Sequence, residues 1–302
     1  MIIRTFVILA LVAAILGGSG YFAYEFFMKP RHLDQEEKKL ADLPPPPPPP
    51  DPSLAAFDAL GAVIQEDSPE AQAALSGFLS SYPDSPKAAE ARAALGRANV
   101  AILLSPAPSP EKTPYAVVSG DSLVRIASKF KSGAELIYRA NHLGTINLKI
   151  GQQLMVPKLD TSVVVDRQGK TVTLLNGGVF LKEYPVLSMK LPGSLGKGPV
   201  ETKVADKVAM KGSVRAAFGT KDFEGSERWV LLGASGVVLR GAPVKEPTAP
   251  AAAGSESAPA ETPAAPAAPA AEVPMPPGII LSPSDAGEVF VLTARGTPVT
   301  IK

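Results

Sequence analysis

The chain has no cysteine, and its 302 residues include only two histidines, His32 and His142. The first absence excludes disulfides, thiolate metal sites and a cysteine nucleophile, and it leaves the redox compartment open. The second gives histidine-based acid–base catalysis and metal binding little to work with. Neither histidine has an obvious chemical partner nearby, so each reads most simply as a solvated side chain. An excess of either charge is missing too. Thirty Lys and Arg stand against twenty-nine Asp and Glu, a net charge of +1. A basic field of the kind a phosphate backbone attracts is therefore absent, and no nucleic-acid partner is expected. No cofactor is expected either.

What the chain does have is organisation by segment. At about 100–200 residues per domain, its length suggests two domains plus accessories. Residues 1–28 read as a membrane signal: Arg4, then the apolar run Thr5 to Leu16, an interruption at Gly17-Gly18-Ser19-Gly20, and the aromatic continuation Tyr21 to Met28. Thr5 to Met28 is long enough to span a bilayer, and its aromatics suit a membrane–water interface. An uncleaved anchor is the favoured reading, because the apolar run continues past the glycines. A cleaved signal peptide, with Gly18 and Gly20 before the cut, is the rival. Residues 29–52 form a charged and polyproline linker, whose run Pro44 to Pro50 predicts a stiff, extended spacer.

Residues 53–105 are predicted helical, with Leu54, Phe57, Leu60 and Ile64 on one face and a helix start at Ser68-Pro69. The stretch FLSSYPDSPKAAEARAALG resembles the joint between helices of tetratricopeptide-type repeats. One joint is few for a repeat array. The segment therefore reads either as a helical spacer or as a groove for a protein partner. Residues 106–114 form a linker.

Tyr115 to Lys158 is a closed unit. Tyr115–Val118 is a short β-type run ending in the turn Ser119-Gly120-Asp121. Ser122 is placed to cap a helix whose inner face is Leu123, Ile126, Ala127 and Phe130. Ser132 is placed to cap a second helix, closed by Asn141-His142 with Gly144 just beyond. Ile150-Gly151 turns the chain into a strand from Gln152 to Val156. The order is βααβ. The residues VSGDSL, Ile126-Ala127, Asn141-His142-Leu143 and IGQQLMVP, with their spacing, resemble a LysM domain. That resemblance implies binding of N-acetylglucosamine-containing glycans, chiefly peptidoglycan and chitin. It places a groove between Gly120, Asp121, Ser122 and Leu123 on one side and Ile146, Asn147, Leu148 and Ile150 on the other. It also puts the bulk of the chain outside the inner membrane, in the periplasm, or in the wall if the N-terminal segment is cleaved.

Residues 159–302 read as mainly β. Ser162–Asp166, Lys170–Leu175 and Val179–Val186 are strands joined by hairpin turns, and Arg228–Leu232 with Gly236–Leu239 forms another hairpin. Val204, Val208 and Val214 are scattered. Gly278–Ser282, a helix Asp285–Leu292 capped by Ser284 or Asp285, and a strand Pro298–Lys302 close the chain. The segments VVVDRQGKTVTLLNGGVFLKEYPVLS and SPSDAGEVFVLTARGTPVTI resemble the opening and the ending of an L,D-transpeptidase catalytic domain. Members of that family attack the peptide stem of peptidoglycan with a cysteine thiolate assisted by histidine. At the matching positions this chain has Arg240 for the upstream histidine, Gly278 for the cysteine, Ile280 for the arginine and Pro276 for the motif histidine. Ser282 precedes the helix as a cap would and has no histidine in this domain to activate it. The Ala/Pro-rich insertion 246–277 has little to bury and is expected to be disordered or extended.

The expected fold is thus multidomain α+β: a membrane helix, a short helical segment, a βααβ LysM module and a mainly-β, transpeptidase-like domain. The expected function is binding of peptidoglycan by a membrane-anchored protein whose last domain lacks catalytic groups. Two alternatives stay open at this point. One is a diverged peptidoglycan-modifying enzyme; the other is an envelope scaffold holding a protein partner at 53–105.

Overall fold

A computed structural model of the chain describes residues 2–28, 38, 51–196, 198–233, 236–243 and 278–302. The polyproline run Pro44–Pro50, the insertion 246–277 and Pro276 lie outside the described residues. The chain divides into two units, Met1–Asp51 and Pro52–Lys302.

In the first unit, α1 (Ile2–Ala23) runs without interruption into a π-helical turn, Tyr24–Met28. Glycine inside a helix costs only about 1 kcal/mol relative to alanine, and Gly17, Gly18 and Gly20 do not break this one. The resulting helix is long and apolar enough to cross a membrane, a property that signal sequences share.

The second unit opens with α2 (Pro52–Leu60), a 3-10 turn (Gly61–Gln65), α3 (Pro69–Ser81) and α4 (Ala88–Leu103). The Ser68 hydroxyl accepts from the Ala71 N–H, with Pro69 at the first helical position. Phe57, Ile64, Leu75, Phe78 and Leu95 form a small core. Leu54, expected on that face, is exposed. Ser53 takes the inward position instead, its hydroxyl 2.7 Å from that of Ser85.

Next come β1 (Lys112–Ala116), α5 (Leu123–Phe130), α6 (Ala134–Ala140) and β2 (Gln153–Pro157), with β1 and β2 antiparallel. This is the expected βααβ order, with two local differences. β1 begins before Tyr115, where the Lys112 ammonium donates to the carbonyls of Ile102, in the last turn of α4, and of Ser105 and Ala107 just beyond it. Ser132 does not cap α6; Gly133 occupies the cap, and the Ser132 hydroxyl donates to the Pro157 carbonyl at 2.6 Å. At the other end of α6, His142 rather than Gly144 adopts positive φ, +48°. Asn141 fixes that exit: its amide donates to the Ile137 and Met155 carbonyls, and its oxygen accepts from the Met155 N–H.

A ten-stranded sheet follows. Its strands are β3 (Thr161–Asp166), β4 (Thr171–Asn176), β5 (Val179–Pro185), β6 (Ser188–Lys190), β7 (Val200–Lys211), β8 (Val214–Ala216), β9 (Glu227–Leu232), β10 (Val238–Gly241), β11 (Gly278–Leu281) and β12 (Pro298–Ile301). The order is β5-β4-β3-β12-β7-β9-β10-β11-β6, with β8 on β7. Only the β3–β12 and β10–β11 pairs are parallel. A short helix, α7 (Lys221–Glu224), precedes β9. Twelve-residue β7 is the largest element the scattered valines did not announce. A register shift between Val204 and Asp206 breaks its alternation, which hides a strand from a period-two reading. α8 (Pro283–Leu292) lies on β9 and β10 and buries Ala286, Val289 and Leu292. Its cap is Ser282, whose hydroxyl accepts from the Asp285 N–H at 3.1 Å, not Ser284 or Asp285.

The parts of this unit share interior. Leu136 of α6 is buried in the sheet's own core. Tyr138, Phe218 and Phe223 meet edge to face in series. On the other side, α4 packs against β5: the Asn99 amide donates to the carbonyls of Phe180 and Leu181, and a Cβ on Gly96 would lie 2.9 Å from Lys182 Cγ.

Candidate glycan-binding site

Two loops frame one end of the β1–β2 ribbon. Past β1, the Val117 N–H donates to the Gln152 carbonyl, and the Gly151 N–H donates back to Val117. These bonds bring Ile150-Gly151 against Val117-Val118. The chain then turns at Gly120, φ +85°, whose carbonyl accepts from the Arg125 guanidinium at 2.5 Å. Asp121 holds the turn shut. Its carboxylate accepts from the Val118 N–H at 2.9 Å and from the Tyr115 hydroxyl at 2.8 Å. Those two bonds, the backbone one first, keep its pKa below the ordinary carboxylate value. Lys129 lies 4.5 Å above the Tyr115 ring and closes the back of the turn. The Ser122 hydroxyl accepts from the Arg125 N–H and so caps α5.

The eight residues expected at the groove occupy different situations. Gly120, Asp121 and Ser122 form one rim, with the Gly120 backbone and the Asp121 carboxylate committed to the turn and the Ser122 hydroxyl to the cap. Leu123 is 3% exposed and packs inside the module, so its side chain does not offer a face to a sugar. On the opposite rim, Ile150 is 75% exposed and Ile146 43% exposed. The Asn147 N–H donates to the Thr145 hydroxyl, and Leu148 packs partly onto the module's core. Val118, 54% exposed, was not among the expected residues. The alternation of buried Val117 and outward Val118 in the β-type run was the signal that could have found it. Val118 and Ile150 together give the site an apolar surface beside a turn fixed by hydrogen bonds.

In the sheet, Arg240 and Gly278 lie on adjacent parallel strands, where Arg240 pairs with Ile280 and Gly278 with Val238. Arg240 is buried, its guanidinium 5.7 Å from the Trp229 ring. Gly278 brings no side chain to this place.

The LysM domain family model matches residues 115–157. No curated protein matches the chain. Solved structures similar to it include L,D-transpeptidases. The Mycobacterium smegmatis enzyme is 15% identical, with a TM-score of 0.28, over 51% of this chain and 64% of that one. A mutant Enterococcus faecium enzyme is 15% identical, with a TM-score of 0.27, over 47% and 50%. L,D-transpeptidase 1 of Mycobacterium tuberculosis is 16% identical, with a TM-score of 0.27, over 50% and 66%. The chain thus spans half to two thirds of the length of these structures, and likeness at this level carries no residue-level inference. Residues 115–157 are a LysM domain.

Proposed function

We propose that this chain is a membrane-anchored cell-envelope protein that holds N-acetylglucosamine-containing strands of peptidoglycan through residues 115–157, and that its sheet portion performs no transpeptidation. One observation carries the reading. In a LysM domain, whose relatives bind peptidoglycan and chitin-type glycans, exposed Val118 and Ile150 stand beside the rigid Gly120–Ser122 turn. Pyranose rings have apolar faces, and acetamido groups need directional donors and acceptors. An apolar surface beside a fixed, backbone-rich turn offers both, with little ordering left to do on binding.

Three features support the absence of transpeptidase chemistry. The chain contains no cysteine. Arg240 is buried on its strand, and Gly278 has no side chain to act. Ser282 is occupied as the cap of α8. We read helices α2 to α4 as a brace for the sheet, since α4 is bonded to β5. Anchoring rests on α1, whose length and composition suit a membrane.

The test is co-sedimentation of the full chain, in detergent, with purified sacculi. The parent should pellet. Val118→Asp combined with Ile150→Asp should lower the bound fraction about tenfold, and Ser282→Ala should leave it unchanged. Muropeptides incubated with the parent should gain no crosslink and lose no D-alanine. Turnover abolished by Ser282→Ala would replace the binding reading with an enzymatic one. Retention in membranes after alkaline washing distinguishes an anchor from a cleaved signal.

A further inference from the structure

A cavity of about 520 Å³ opens where the LysM domain meets the sheet. Gly144, Thr145 and Ile146 form one wall of it. The same loop continues into Asn147, Leu148 and Ile150, the rim of the candidate groove. The opposite wall is the segment from Phe218 to Arg228 that includes α7. The walls touch at one point: Gly219 has φ +87°, and a Cβ there would lie 2.9 Å from Ile146 Cδ1. Only glycine gives both the backbone conformation and the space.

The lining is polar in a particular way. Arg139, Lys221 and Arg228 bring three cations, against the carboxylates of Glu135 and Glu224. Glu135 is 2.7 Å from Arg139 and 3.7 Å from Arg228. Lys221 makes no ion pair among the described residues. Glu135 Oε2 and Arg228 Nε are buried without a hydrogen-bond partner, although their side chains are only 11% and 10% exposed. Buried polar atoms of this kind are costly unless something completes them. Tyr138 and Phe218, in edge-to-face contact, supply an apolar side.

The geometry points to this cavity as the subsite for the peptide stem of a peptidoglycan strand whose sugars lie in the LysM groove. A stem peptide carries carboxylates for the arginines and Lys221, amide N–H groups for Glu135, and aliphatic side chains for the aromatic wall. It branches from the glycan, and loop 144–150 borders both places. The volume is in the range that small ligands occupy. The inference rests on the glycan-binding reading and narrows it to peptide-bearing glycan, as opposed to bare chitin-type chains.

Isothermal titration of the full chain in detergent micelles tests it, with two probes: N-acetylglucosamine tetramer, and a peptidoglycan tetrasaccharide bearing its stem peptides. The parent should bind the peptide-bearing probe about tenfold more tightly. Arg139→Gln with Lys221→Gln, both at the open side, should reduce that preference to about twofold or less and leave tetramer binding unchanged. A control pair away from the cavity, Arg92→Gln with Lys190→Gln, should keep the preference. Equal affinity of the parent for both probes overturns the inference while the glycan reading stands. Equal loss for both probes in the cavity variant, or the same loss of preference in the control pair, also overturns it. If the parent binds neither probe, the glycan reading fails and the inference falls with it.

Discussion

Asp121 shows how one carboxylate can fix a binding loop. Its acceptance from the Val118 N–H and the Tyr115 hydroxyl stabilises the charged form, so its folded pKa lies below the unfolded value of about 3.9. The stabilisation is fully present above that unfolded value and is lost as pH falls through the folded one. Asp121→Ala should therefore lower the melting midpoint at neutral pH, and the gap from the parent should close as pH falls below about 4. A constant gap from pH 7 to pH 2.5, measured by circular dichroism, would contradict this. At Lys207 the fold favours the neutral form instead. Its ammonium donates to the Thr293 carbonyl at 2.6 Å and sits over the Phe290 ring, and burial lowers its pKa to about 8 despite the attraction of Glu135. Between about 8 and its unfolded value the unfolded state holds the proton more firmly, so stability should rise with pH across that window. Denaturant titrations at pH 7.5 and pH 10 should show the rise in the parent and its loss in Lys207→Met.

At the scale of elements, the contact between α4 and β5 is set by two residues that sequence patterns give no reason to notice. Asn99 bonds two strand carbonyls and accepts from the Gln72 amide; Gly96 lets the helix approach Lys182. Asn99→Ala should cost about 1–3 kcal/mol, because one buried and one partly buried carbonyl lose this donor. Equilibrium unfolding in urea measures it, and a loss below a few tenths of a kcal/mol would sink the brace reading of α4. What was legible in the sequence follows the same division. Elements with their own punctuation were readable: Ser68-Pro69 before α3, Ser122 before α5, the hairpin glycines of the sheet. β7 was not, since its irregular register spoils the alternation, nor was the start of β1, which depends on Lys112 reaching carbonyls at the end of a helix. In the candidate site, the turn from Gly120 to Ser122 could be placed by motif. The inward position of Leu123 was legible in the helical spacing and the outward one of Val118 in the alternation of its β-type run, whereas the contact of Ile146 with Gly219 is set by tertiary packing, which no local pattern encodes.

At the scale of the molecule, the LysM domain is joined to the sheet by shared interior rather than by a linker alone. Leu136 belongs to the sheet's core, Tyr138 meets Phe218, and Glu135 approaches Arg228. Residues 52–302 should therefore unfold in one calorimetric transition, with the calorimetric and van't Hoff enthalpies equal. A separate early transition that shifts when N-acetylglucosamine oligomer is added would show that the LysM domain melts alone. The position of α4 has a consequence for how the chain is made. β5 ends the sheet and would otherwise offer its free amides and carbonyls to any neighbouring chain. Helices α2 to α4 precede it in the sequence, so during synthesis the cover leaves the ribosome before the strand it shields. Nascent copies on one messenger thus have the β5 border covered by their own helices before they can zip to each other along it.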